Sequence, residues 1–209
     1  MKRNMIAALV AAAAFAGFAG AAQAADIVDE WAGVKAPPPP ALKEVKVDPK
    51  TTALLMLDFM KQNCGKRPRC MATLPAMKKL LAAARAAQAP VIYSIIANST
   101  IDDVLPDVAA QSGEVSVKGG PDKFLHTDLE KILKDKGIKT VIAVGTASNG
   151  AVLYTASGAA FRGMKVIVPV DGMSAIDATA EYATVIDFET APGVSGASTL
   201  TRSDMIKFE

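Results

Sequence analysis

The stretch VIAVGTASNGAVLYTA, residues 141–156, runs from an apolar segment through a turn of small residues into a second apolar segment with helical spacing. Four consecutive buried-type residues, Val141–Val144, are too few for a helix and suit a central strand that is covered on both faces. A strand that turns directly into a helix is half of a parallel crossover, so this stretch predicts a parallel sheet with helices packed on it. Its turn carries Gly150 and Ala151 where an α/β enzyme would place a nucleophile.

The same rhythm extends in both directions. TALLMLD (52–58), PVIYSII (90–96), EVSV (114–117), KTVIAVG (139–145) and MKVIVPVDG (164–172) read as strands, and STLTRSDMI (198–206) as an edge strand with a tail. Between them, Thr73-Leu74-Pro75 opens a helix with Met77, Leu80, Leu81 and Ala84 on one face. Thr127-Asp128-Leu129-Glu130 has the form of a capping box, starting a helix that Gly137 ends. Residues 148–162 and 178–188 complete the helices. The expected fold is therefore α/β: a three-layer α-β-α arrangement around a mainly parallel central sheet.

Three regions follow from composition. Lys2 and Arg3 precede an apolar run from Met5 that ends in Ala22-Gln23-Ala24, the form of a cleavable signal peptide over residues 1–24 rather than of an anchor. The expected location is periplasmic or secreted, with no membrane association after cleavage. Residues 25–50 contain the run Pro37–Pro40 and read as a proline-rich arm, with Trp31 as its anchor. Residues 51–209 form the domain. The mature chain is balanced at 21 basic and 21 acidic residues, which removes any global charge argument for nucleic acid.

Both cysteines lie in NCGKRPRC, as Cys64 and Cys70. In an oxidising compartment they read as a structural disulfide; a reactive or metal-binding pair is the competing reading, weakened by a chain that holds one histidine. The intervening KRPR reads as a solvated turn that could also attract an anion.

In a parallel sheet, ligands sit beyond the carboxyl ends of the strands. Those ends carry Asp58, Lys118, the GTASNGA turn and Asp171. A carboxylate, an ammonium and a row of backbone N–H groups can bind an anion and move a proton. Each also has an ordinary reading: Asp58 as a turn or cap residue, Lys118 as a solvated loop lysine, Asp171-Gly172 as a tight turn. Ser-His-Asp and Cys-His schemes fail for want of a base other than His126, and GTASNG lacks the spacing of phosphate-binding loops.

These blocks, ALLMLD with Asp58, VKGGPDKFLHTDLEKILKDKGIKTVIAVG with Lys118, and the segments from 146 to 171, resemble the isochorismatase-like hydrolases, the cysteine hydrolase superfamily. The resemblance implies Asp58 as a proton-transfer group, Lys118 as its partner, and an oxyanion hole of the Ala147 and Ala151 N–H groups. It also implies a cis peptide at Thr146–Ala147, Phe124 in the substrate site, a small-molecule substrate and a homo-oligomer. The family's nucleophilic cysteine falls at Ala151, and a methyl group is neither nucleophile nor base. The histidines of the family's metal-containing members are absent, so no metal and no other cofactor is expected. Two functions remain open: a hydrolase in which water attacks without a cysteine, and a noncatalytic ligand-binding protein on the same fold.

Overall fold

The computed structural model describes residues 26–209, so the signal peptide expected over residues 1–24 lies outside the described residues. The chain divides after Pro39. In the first unit, Asp26 accepts hydrogen bonds from the N–H groups of Val28 and Asp29 and so caps a single turn, α1 (Ile27–Glu30). Trp31 follows it and is exposed, so it does not serve as a buried anchor.

The second unit, Pro40–Glu209, carries the sheet. Its strands are β1 (Val45–Val47), β2 (Thr52–Leu57), β3 (Val91–Ile95), β4 (Val115–Lys118), β5 (Thr140–Thr146), β6 (Lys165–Pro169), β7 (Met173–Ser174), β8 (Ser198–Thr201) and β9 (Ile206–Phe208). The main sheet has the order β4-β3-β2-β5-β6-β8, every neighbouring pair is parallel, and β7 joins the end of β5. β1, drawn from the stretch read as an arm, pairs in parallel with β9 as a separate ribbon.

Alternation along the two central strands builds both cores. Ala53, Leu55 and Leu57 of β2, with Val141 and Ala143 of β5, pack with α3 (Leu129–Asp135), α4 (Leu153–Phe161) and α5 (Ala178–Thr190). Leu54 and Met56, with Ile142 and Val144, pack against α2 (Pro68–Ala86) on the other face. This is why β2 is buried at every position and reads as an unbroken apolar run.

The helix starts differ from the sequence reading. α2 begins at Pro68, which takes the first-turn position where a missing N–H costs nothing, and Pro75 lies inside the helix. Met77, Leu80, Leu81 and Ala84 are buried, as the spacing predicts, and Cys70 and Leu74 join them. The capping box at α3 does not form. The Thr127 hydroxyl donates to the Lys123 carbonyl and accepts from the Leu129 N–H, and Glu130 pairs instead with Lys134 and Arg162. Those two cations, Lys134 first, hold the Glu130 carboxyl well below the usual glutamate range.

Chain reversal between β2 and β5 sets the site. From β2 the chain winds outward through β3 and β4, then returns to the other side of β2 as β5, leaving a crevice beyond the carboxyl ends of these two strands. Gly145 sits in register with Leu57 across that junction, with φ +147°. A Cβ there would stand 2.1 Å from the Leu57 carbonyl oxygen, so glycine is the residue that lets the strands close at this point.

Candidate functional site

Asp58 immediately follows β2 and adopts φ +57°, a left-handed conformation that short polar side chains tolerate better than bulky ones. That turn ends the strand and buries the carboxylate, which is 4% exposed. Ser94 Oγ, in register with Leu57 on β3, donates to Oδ1 at 2.7 Å. Lys123 Nζ donates to Oδ2 at 2.8 Å and to the Gly119 carbonyl at 3.3 Å. Lys123 is wholly buried. A buried carboxylate is thus matched by one ammonium and one hydroxyl, the minimum that such burial demands.

The lysine expected beside Asp58 was Lys118; the structure places Lys123 there. β4 alternates, with Val117 inward and Lys118 exposed, so Lys118 reaches the rim of the site and no carboxylate pairs with it. The loop after β4 then turns back to deliver Lys123. It is braced on α4 by the Lys123 N–H donating to Thr155 Oγ1 at 3.2 Å, and by Thr155 Oγ1 donating to the Pro121 carbonyl at 3.2 Å. Phe124, expected on the substrate wall, lies in the core instead, with the Arg162 guanidinium 4.2 Å above its ring. Its edge fills the space beside Gly158, where a Cβ would come within 2.9 Å of it. His126 is exposed. Asp171 accepts from the Ser203 N–H at 2.8 Å and the Ser203 hydroxyl at 2.7 Å, tying down the chain before β9 rather than facing the site.

The peptide Thr146–Ala147 is cis, as the resemblance implied. A π-type turn over Ser148–Val152 follows, with the Ala147 carbonyl accepting from the Gly150 and Val152 N–H groups at 3.1 and 3.2 Å. The N–H groups that open such a turn, ahead of Gly150, have no carbonyl one turn earlier within it to meet, as at any helix start. Ala147, Gly150 and Ala151 form one wall of a cavity of about 500 Å³, and Asp58 and Lys123 another. A larger recess of about 890 Å³ opens at the other end of the sheet, around the first residues of β2, β5 and β6. It contains neither the buried ion pair nor the turn, so the smaller cavity is the candidate site.

NCGKRPRC supplies the third wall. Cys64 and Cys70 form a disulfide, Asn63 Nδ2 donates to the Thr146 carbonyl at 3.4 Å, and Arg67 Nη1 donates to Thr146 Oγ1 at 3.2 Å. Arg69 pairs with Glu181, and Glu181 also accepts from the Ala175 N–H at 3.0 Å. Burial pushes the Glu181 carboxyl upward, but the hydrogen bonds from Arg69 and Ala175 outweigh it, so it titrates below the ordinary glutamate value. Closing so short a loop stabilises the fold by roughly 2 kcal/mol in the chain-entropy account. Reduction is expected to lower the urea midpoint accordingly; an unchanged midpoint would mean that the loop's other contacts hold it unaided.

With both cysteines bonded to each other, no thiol remains in the described residues to attack a substrate. Nor do three His, Cys, Asp or Glu side chains meet there in a cluster able to hold a metal. Two contributors escaped the sequence reading. Ser94 was visible as the hydroxyl within the apolar run PVIYSII, and Lys123 as the second lysine of VKGGPDKF.

Comparison with known proteins bears on the fold that carries this site. No curated protein matches the chain. Among solved structures, it is similar to a cysteine hydrolase from Pseudomonas syringae pv. phaseolicola 1448A (TM-score 0.68, 23% identity, 79% of this chain and 94% of that one). It also resembles an N-carbamoylsarcosine amidase from Thermoplasma acidophilum (TM-score 0.64, 23% identity, 74% and 97%) and a nicotinamidase from Staphylococcus aureus (TM-score 0.63, 18% identity, 72% and 98%). Residues 52–195, from the start of β2 to the turn that follows α5, match the isochorismatase domain, and the chain belongs to that family.

Proposed function

We propose that the protein is an exported hydrolase of a small molecule that works without a cysteine nucleophile. The observation that carries this reading is the buried Asp58–Lys123 pair on a cavity whose facing turn presents backbone N–H groups and the methyl of Ala151. Asp58 takes a proton from water, and the water oxygen bonds to the electrophilic carbon of the substrate. The N–H groups of Ala147 and Ala151 stabilise the oxyanion, and the proton passes to the leaving nitrogen or oxygen as its bond to carbon breaks. Lys123 balances the charge of Asp58 and fixes its orientation, while Ser94 holds the second carboxylate oxygen.

Turnover of small amides, vinyl ethers and related carboxylic acids by residues 25–209, followed by mass spectrometry, tests this. Wild-type protein is expected to form product, with Asp58→Asn slower by about 100-fold or more. Saturable binding with no product from any of these would overturn the hydrolase and support a noncatalytic ligand-binding protein, the reading that the alanine at 151 also accommodates.

A further inference from the structure

Among the described residues, the arginines other than Arg67 are each paired with a carboxylate: Arg69 with Glu181, Arg85 with Glu114, Arg162 with Glu130 and Arg202 with Asp204. Arg67 has no carboxylate. It is half-buried on the wall of the candidate site, and the side chain's hydrogen bond, to Thr146 Oγ1, occupies one of the five N–H donors of its guanidinium. A partly desolvated guanidinium with unused donors is an incomplete ion pair.

The rest of the cavity leaves this charge uncompensated. Asp58 is its one carboxylate, and that group is already matched by Lys123. Lys118, which also lines the cavity, adds a second cation with no carboxylate partner among the described residues. Arg67 is also held in place at its backbone. Its N–H donates to the Cys64 carbonyl at 2.9 Å, Pro68 starts α2 directly after it, and the Cys64–Cys70 disulfide closes the loop around it.

We infer that Arg67 determines specificity by receiving a carboxylate on the substrate, so that the molecule hydrolysed at Asp58 is a small organic acid with its scissile bond a few atoms from the carboxylate. A planar fork suits a carboxylate, which it can bind through two parallel N–H donors, better than a lysine would. This assignment rests on the hydrolase reading for its substrate, but its binding step stands apart from turnover.

The test uses the monoamides of malonic, succinic and glutaric acids beside their neutral diamides, titrated calorimetrically into residues 25–209, with hydrolysis of the same compounds followed in parallel. At least one monoamide should bind about tenfold or more tighter than its diamide, and more weakly as salt is added. Arg67→Gln should remove the preference, and Arg67→Lys should keep part of it. If any of these acids is hydrolysed, Arg67→Gln should raise KM far more than it lowers kcat, as loss of uniform binding does. Equal binding of acid and diamide, a preference intact in Arg67→Gln, or no saturable binding of any monoamide would overturn the assignment. A charge preference without hydrolysis would support the carboxylate site while overturning the hydrolase.

Discussion

Lys123→Met is expected to destabilise the fold by about 3–5 kcal/mol, because it leaves the Asp58 carboxylate buried with only the Ser94 hydroxyl to satisfy it. Asp58→Asn should also be costly, since it strands the ammonium. The double variant Asp58→Asn/Lys123→Met should recover part of the loss, with a coupling in urea unfolding of at least about 1 kcal/mol. Lys118→Met is the control, expected to shift stability by no more than about 0.5 kcal/mol because its side chain is at the exposed rim. If Lys118→Met proved the more damaging of the two single lysine variants, the buried pair would be wrongly assigned.

The second large effect is at Gly145→Ala. A methyl group at this position would meet the Leu57 carbonyl oxygen at 2.1 Å and the Leu57 Cβ at 2.7 Å, and the backbone is in a region that alanine adopts poorly. Neither strand can yield cheaply: β2 and β5 are the adjacent central strands, and both are packed on both faces. Destabilisation should exceed about 4 kcal/mol, seen as loss of soluble protein or of a cooperative melting transition. Any fraction that folds should have impaired turnover, because Leu57 is the residue that leads into Asp58. A variant that melted and turned over like wild type would contradict the close strand junction.

Most of the fold was legible because its central strands have no polar face: TALLML and TVIAVG can be buried on both sides and little else. Asp58 was legible for the same reason, as the first charge after such a run. What was obscured depended on choices between similar groups. Lys118 and Lys123 flank one short loop, and strand alternation together with the loop's return decides which reaches the carboxylate. Thr127 and Glu130 have capping-box spacing, but the Lys123 carbonyl and the cations Lys134 and Arg162 compete successfully for them. Arg67 looked like part of a solvated turn because its environment is made by Thr146, 79 residues away in the chain. Phe124, expected in the substrate site, fills the core beside Gly158 instead, a contact with a residue 34 positions on that the sequence pattern does not reveal.

The pairing of β1 with β9 also orders events during synthesis. Val45–Val47 meets Ile206–Phe208, with the Glu209 N–H adding a bond to the Val47 carbonyl at 2.9 Å. The intervening segment of about 160 residues takes on the order of ten seconds to emerge at ordinary ribosomal rates. Throughout that interval Val47, buried in the finished protein, has no ribbon to join, and the α2 face of the sheet lacks the cover that Val47 and Ile206 later give it. The ribbon therefore acts as a late latch, closed only once Ile206–Phe208 is available to pair with Val45–Val47.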